Sequence, residues 1–113
     1  LVVFDNEDQI DKITPDFNKL TLLDLRGVIV TSPGKDYDFV SRAFFPKYGI
    51  LEDPVTGSAH TKLIPYWSKK LNKSELKAKQ ISKRGGELFC KDKIDRVYIS
   101  GYAKLYMIGE IQL

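Results

Sequence analysis

The sequence predicts an α+β domain with a curved, mostly antiparallel sheet. Three observations carry this. About seven short runs are rich in β-branched and aromatic residues. One prominent helical pattern lies in the middle of the chain. The last forty residues contain strand-like runs separated by turns and no helical pattern, so a serial parallel βαβ arrangement does not fit.

Read in order, LVVF (Leu1–Phe4) is a buried strand. Asp5 or Asn6 can cap a short helix with Glu7 and Asp8 in its first turn, where the helix dipole favours acids. Thr14-Pro15-Asp16 is a second start signal, with Thr14 at the N-cap and Pro15 at the first helical position. Phe17, Leu20 and Leu23 then form one apolar stripe. RGVIVT (Arg26–Thr31) is a strand, and Ser32 to Asp36 is a turn or loop. Tyr37 to Phe45 alternates imperfectly, with Tyr37, Phe39, Ser41, Ala43 and Phe45 on one face and Asp38, Val40, Arg42 and Phe44 on the other.

Ala59 to Leu71 is the strongest helix, with Leu63, Ile64, Trp67 and Leu71 near one side. Pro65 falls in its middle, where it removes a hydrogen bond and clashes with the preceding turn at a cost of roughly 3 kcal/mol. Such a helix is expected to be kinked and buried on most sides. Strands follow at Leu76–Ser82, Glu87–Lys91 and Arg96–Ser100. Tyr102–Ile108 alternates as a seventh.

The bulk numbers bound the function. A chain of 113 residues with 42% hydrophobic and 29% charged residues is one domain with a core, spanning residues 1–113. Apolar runs are too short for a membrane span, and the opening LVVF lacks the features of a signal peptide. The chain opens on Leu1 in mid-strand character, as a piece of a longer protein would. With one Cys and one His, no Cys/His metal cluster can be assembled. Cys90 reads as a buried, inert thiol, and this cysteine usage points to the cytoplasm. Lys69 to Lys93 carries nine basic and three acidic residues, a local +6 against +3 for the chain. Its lysines are scattered through a helix end and a strand without aromatic RNA-binding or zinc-finger patterning. They read as a solvated face, and no nucleic-acid or membrane partner is expected.

The chemistry concentrates in GILEDPVTGSAH (Gly49–His60). Thr56-Gly57-Ser58 sits at a loop-to-helix junction, where the first amides have no internal partners and carry partial positive charge. Gly57 lets a ligand approach the backbone, and Ser58 adds a hydroxyl. Such a junction suits a carboxylate or oxyanion. Asp53, fixed by Pro54, can accept from an amine or hydroxyl of the same ligand, with His60 at the wall or just behind it. The same residues also make an ordinary cap: Thr56 or Ser58 capping, Asp53 favouring the dipole, Gly57 turning the chain. Spacing leaves both open. Ser58 and His60 are two apart and point in different directions on a helix, which argues against a Ser-His nucleophile.

The run DFVSRAFFPKYGILEDPVTGSAH resembles the signature of the phenazine-biosynthesis PhzF-like family of isomerases. HTKLIPYW, KQISKRGGEL and VYISGYAKLYMIGEI continue the pattern in order, and TPDFNKL and GVIVT fit near the start. The resemblance covers nearly the whole chain. It implies the diaminopimelate-epimerase-like fold, in which two similar halves each wrap a barrel-like antiparallel sheet round one central helix, here Ser58 to Leu71, and the ligand lies between the halves. By motif match, Asp53 corresponds to the family's active-site aspartate. Gly57 and Ser58 match helix-start residues that touch the substrate carboxylate, within a binding stretch of Thr56, Gly57, Ser58, Ala59 and His60. Ser58 stands where diaminopimelate epimerases and proline racemases place a catalytic cysteine, so a two-cysteine mechanism is unavailable. The family's general acid/base is a glutamate from the other half, working without cofactor or metal. No residue here matches it, since Glu52 belongs to the Asp53 motif.

The resemblance thus implies a C-terminal half of such an isomerase, inactive alone, whose partners are a small carboxylate, the N-terminal half of the same protein and, in a homodimer, a second copy. It also implies that the last strand crosses to the other half, leaving Met107–Leu113 without its neighbour. A non-catalytic anion- or protein-binding module is the alternative, and nucleic-acid binding through Lys69–Lys93 a third.

Overall fold

The computed structural model describes residues 1–112. Six strands form one sheet in chain order: β1 (Val2–Val3), β2 (Val28–Ser32), β3 (Phe39–Phe44), β4 (Glu75–Gln80), β5 (Gly86–Asp92) and β6 (Val97–Ser100). Neighbours β2–β3, β4–β5 and β5–β6 are antiparallel, whereas β1–β2 and β3–β4 are parallel. The sheet is therefore mixed and open, not a closed barrel. The parallel β3–β4 pair is joined through helix α3 (Gly57–Leu71), and the parallel β1–β2 pair through two short helices, so helical crossovers interrupt the mostly antiparallel sheet that the sequence pattern suggested.

Alternation along β3 divides the core between two faces. Phe39 faces α3 and stacks on Trp67, with ring centroids 5.7 Å apart and planes within 4°. Leu63 and Ile64 of α3 pack there with Leu76, Ala78 and Leu88. Trp67 also donates its indole N–H to Thr31 Oγ1 at 2.9 Å, so its polar atom is satisfied inside the core. Val40 and Phe44 face the other way. They meet Ile10 of α1 (Glu7–Asp11), and the Phe17 ring of α2 (Phe17–Leu22) approaches the Phe44 ring edge-on. Each fully buried large apolar side chain contributes on the order of 1.5–3 kcal/mol.

Asn6 caps α1 with a reciprocal Gln9 capping box. The cap of α2 is Asp16, which accepts from the Lys19 amide at 3.1 Å. Thr14 and Pro15 lie before the helix, because the nearer carboxylate takes the capping role. α3 closes on Asn72 in the left-handed conformation (φ 51°).

Two expectations are corrected. α3 is covered on one face only: Ala59, His60, Leu63, Ile64 and Trp67 are buried, while Thr61, Lys62 and Pro65 are exposed. A sheet that does not close covers one side of a helix, and Pro65 sits on the uncovered side. The seventh strand is absent. Residues 101–112 have no regular structure, and most of their large apolar side chains are exposed. Leu113 lies outside the described residues. Among the described residues, no helix is long and apolar enough to cross a membrane.

Candidate active site

The segment from Glu52 to Thr56 enters α3 with no regular structure, yet side chains of β3 and β4 hold it at several points. Arg42 of β3 forms a two-pronged pair with Glu52, Nε–Oε1 at 2.7 Å and Nη2–Oε2 at 3.0 Å. Its other nitrogen, Nη1, donates to the carbonyls of Ile10 (3.0 Å) and Ile13 (2.8 Å) at the end of α1. Glu52 is thereby committed to structure and is not free to act as a base. The Asp53 amide donates to Ala43 O at 2.9 Å, and Ser82 Oγ donates to Pro54 O at 2.7 Å. Val55 rests on Gly86, where a Cβ would come within 2.4 Å of Val55 Cγ2.

Gln80, fully buried on β4, completes the clamp. Its Oε1 accepts from the Thr56 amide at 2.8 Å. Its Nε2 donates to Asp53 O at 2.7 Å and Thr56 Oγ1 at 3.1 Å. The motif reading missed this residue, although a signal was present. Gln80 is in phase with the buried Leu76 and Ala78, and a polar side chain in a core phase needs polar partners. Arg42 carries the same signal, in phase with Val40 and Phe44.

Thr56 occupies the N-cap position of α3 but makes no side-chain cap. Its hydroxyl donates to Asp53 Oδ2 at 2.5 Å instead. Neither does Ser58 cap the helix; both it and Gly57 are exposed. The first-turn amides of a 15-residue helix are thus left without a side-chain cap, at the end where the dipole is positive. A Cβ at Gly57 would meet nothing within 4 Å, so packing within the chain does not demand glycine there.

Asp53, Thr56 and Ser58 share the lining of a cavity of about 540 Å³, whose apolar part is Phe45, Tyr48 and Ile50. That volume suits a small molecule. A second cavity of about 510 Å³ lies away from the motif. Its charges are largely paired, Lys73 with Asp38 at 2.6 Å and Lys91 with Glu75, which leaves less for a ligand.

The side chains of Ala59 and His60 turn into the core and do not line the cavity, so of the implied binding stretch these two can offer at most backbone. The His60 Nδ1–H donates to Thr56 O at 2.8 Å, one helical turn back, and the ring lies 6.0 Å from that of Phe39. Nε2 is buried with no partner among the described residues. Burial pushes the His60 pKa below its ordinary value, partly offset by the bond to Thr56. Cys90 is buried in β5, and desolvation pushes its thiol up to about 11, as expected of an inert thiol.

The PhzC-PhzF family profile, described as phenazine biosynthesis-like protein, matches residues 1–109. An uncharacterised isomerase of Pseudomonas aeruginosa is 52% identical over the whole chain, which covers 43% of that protein. A phenazine biosynthesis-like domain-containing protein of Homo sapiens is 45% identical over 77% of the chain, which corresponds to 33% of its own length. The crystal structure of a PhzF-family phenazine biosynthesis protein from Enterococcus faecalis superposes with a TM-score of 0.89 at 57% identity, covering 98% of this chain and 43% of that one. The chain thus spans less than half the length of the curated relatives it matches. It belongs to the PhzC-PhzF family of phenazine biosynthesis-like proteins.

Proposed function

We propose that these 113 residues form the substrate-binding half of a cofactor-independent PhzF-like isomerase that moves a proton between carbons of a small carboxylic acid. The substrate carboxylate sits on the uncapped amides of Gly57 to Ala59 and on Ser58 Oγ. Asp53, held by Thr56 and the Gln80 clamp, orients an amine or hydroxyl of the substrate. The acid/base is a glutamate supplied by the rest of the longer protein. That polypeptide covers the Pro65 side of α3 and meets the apolar residues of the 101–112 segment.

One observation carries the reading. The residue in the capping position spends its hydroxyl on Asp53, so first-turn amides and an acidic side chain are set out together at one cavity. The relatives named as isomerases supply the reaction class. Titrating the chain with sodium acetate, against sodium chloride at matched ionic strength, tests the binding half of the proposal. The amide resonances of Gly57, Ser58 and Ala59 are expected to move saturably with acetate alone. Equal movement with chloride would sink the carboxylate site.

The exposed apolar side chains beyond β6 favour a second reading, a module that binds a protein without catalysis. It predicts that supplying the remaining part of the longer protein restores no turnover.

A further inference from the structure

The cavity at the start of α3 contains a cation that neither the motif nor the proposed mechanism uses. Arg26 is its sole positively charged lining residue. The arginine lies just before β2, and its position is fixed by its neighbour. A Cβ on Gly27 would stand 2.2 Å from Phe45 Cδ1 and 2.7 Å from Phe44 O. Glycine there lets the start of β2 press against the end of β3, which carries Arg26 to the same cavity as Phe45. Some surface lysines are paired, Lys35 with Asp8, Lys73 with Asp38 and Lys91 with Glu75, and none of these lines the cavity at the start of α3. Among the described residues Arg26 has no carboxylate within ion-pair distance, although Asp53 shares its cavity.

Building on the proposed carboxylate site, we infer that Arg26 is a specificity-determining residue that binds a second anionic group, so that the substrate is a small acid with two acidic ends. The helix amides and Ser58 take one carboxylate. Arg26 takes the other, its planar fork matching a carboxylate or phosphate in two-pronged fashion. The apolar Phe45, Tyr48 and Ile50 line the cavity shared by these two anchors and fit a short hydrocarbon or planar spacer. An exposed guanidinium beside a small cavity also draws anions toward it and makes that attraction weaken with salt.

The test compares acetate with succinate at matched low ionic strength, following the Gly57–Ala59 amides in the unaltered chain and in Arg26→Gln and Arg26→Lys. Arg26 is exposed and outside the core, so all three proteins are expected to fold alike, checked by their unchanged core amide spectra. Succinate is expected to bind roughly tenfold more tightly than acetate in the unaltered chain. Arg26→Gln should abolish that preference, weakening succinate about tenfold and acetate much less, through the lost long-range attraction alone, and Arg26→Lys should keep part of it. Four results would overturn the inference. If Arg26→Gln retains the succinate preference, or if succinate binds no better than acetate, the second anchor is absent and the carboxylate site stands. If Arg26→Gln weakens acetate and succinate equally, Arg26 shares the first carboxylate. If neither anion moves the amides, both the inference and the site beneath it fall.

Discussion

Two stretches without regular structure behave in opposite ways. The Glu52–Thr56 segment is held by Arg42 and Gln80 of the strands, by Ser82 just beyond β4 and by the β3 backbone. Residues 101–112 follow β6 with no pairing, Tyr106 is 98% exposed and Ile108 82%. The first shows how an irregular segment keeps one shape: strand-borne side chains replace the ladder bonds it lacks. The second shows that an alternating pattern alone makes no strand, because a strand needs a neighbouring edge to bond to.

The comparison breaks most visibly at Arg42. Arg42→Met strands the Glu52 carboxylate and the α1 carbonyls, at an expected cost of about 3 kcal/mol in urea unfolding. Ending the chain after Tyr102 should change the same measurement by no more than about 0.5 kcal/mol. Gln80→Leu comes next. It removes the partner of the buried Thr56 amide and should cost about 2 kcal/mol. In the acetate titration it should weaken binding as well, because Thr56 and Asp53 lose their clamp.

His60 sharpens the comparison through pH. Its folded pKa lies below its ordinary 6.5, so the unfolded chain takes up the proton first as pH falls. The stability contributed by the neutral ring is present above pH 6.5 and is lost progressively below it. The melting temperature should therefore decline below that pH. His60→Asn, which keeps a donor toward Thr56, should flatten this part of the profile whatever its starting stability. An unchanged slope would mean that another group sets it.

The smallest effect on stability is also diagnostic. Gly57→Ala introduces a Cβ that meets nothing within the chain, at a helical position where Ala is preferred, so stability should stay level or rise by up to about 0.5 kcal/mol. Acetate binding should nonetheless weaken, since the methyl intrudes where the ligand approaches the amides. Unaltered acetate affinity would return Thr-Gly-Ser to the role of a simple helix start.

Much of this was legible in the sequence, for local reasons. The α3 stripe of Leu63, Ile64 and Trp67 and the alternation of β4 follow from periodicity alone. Asp53 and Ser58 share a cavity because only four residues, the first a proline, separate them. What was not legible depends on distance. Gln80 reaches Thr56 across 24 positions and Arg42 reaches Ile10 across 32, and no local rule links such pairs. Their only trace is a polar residue in a core phase. Arg26 leaves even less, because its place depends on Gly27 meeting Phe45 across two strands. His60, close to Ser58 in sequence, turns away from the cavity because the next helical positions belong to the buried face.

The central claim is that this chain holds a substrate but does not move its proton. Deuterium incorporation from heavy water into succinate and related small acids measures that directly, first with the 113 residues alone and then with the remaining part of the longer protein added as a separate polypeptide. The predicted result is no exchange with the chain alone, exchange on reconstitution, and loss of that exchange with Asp53→Asn. Exchange catalysed by the isolated chain would contradict it.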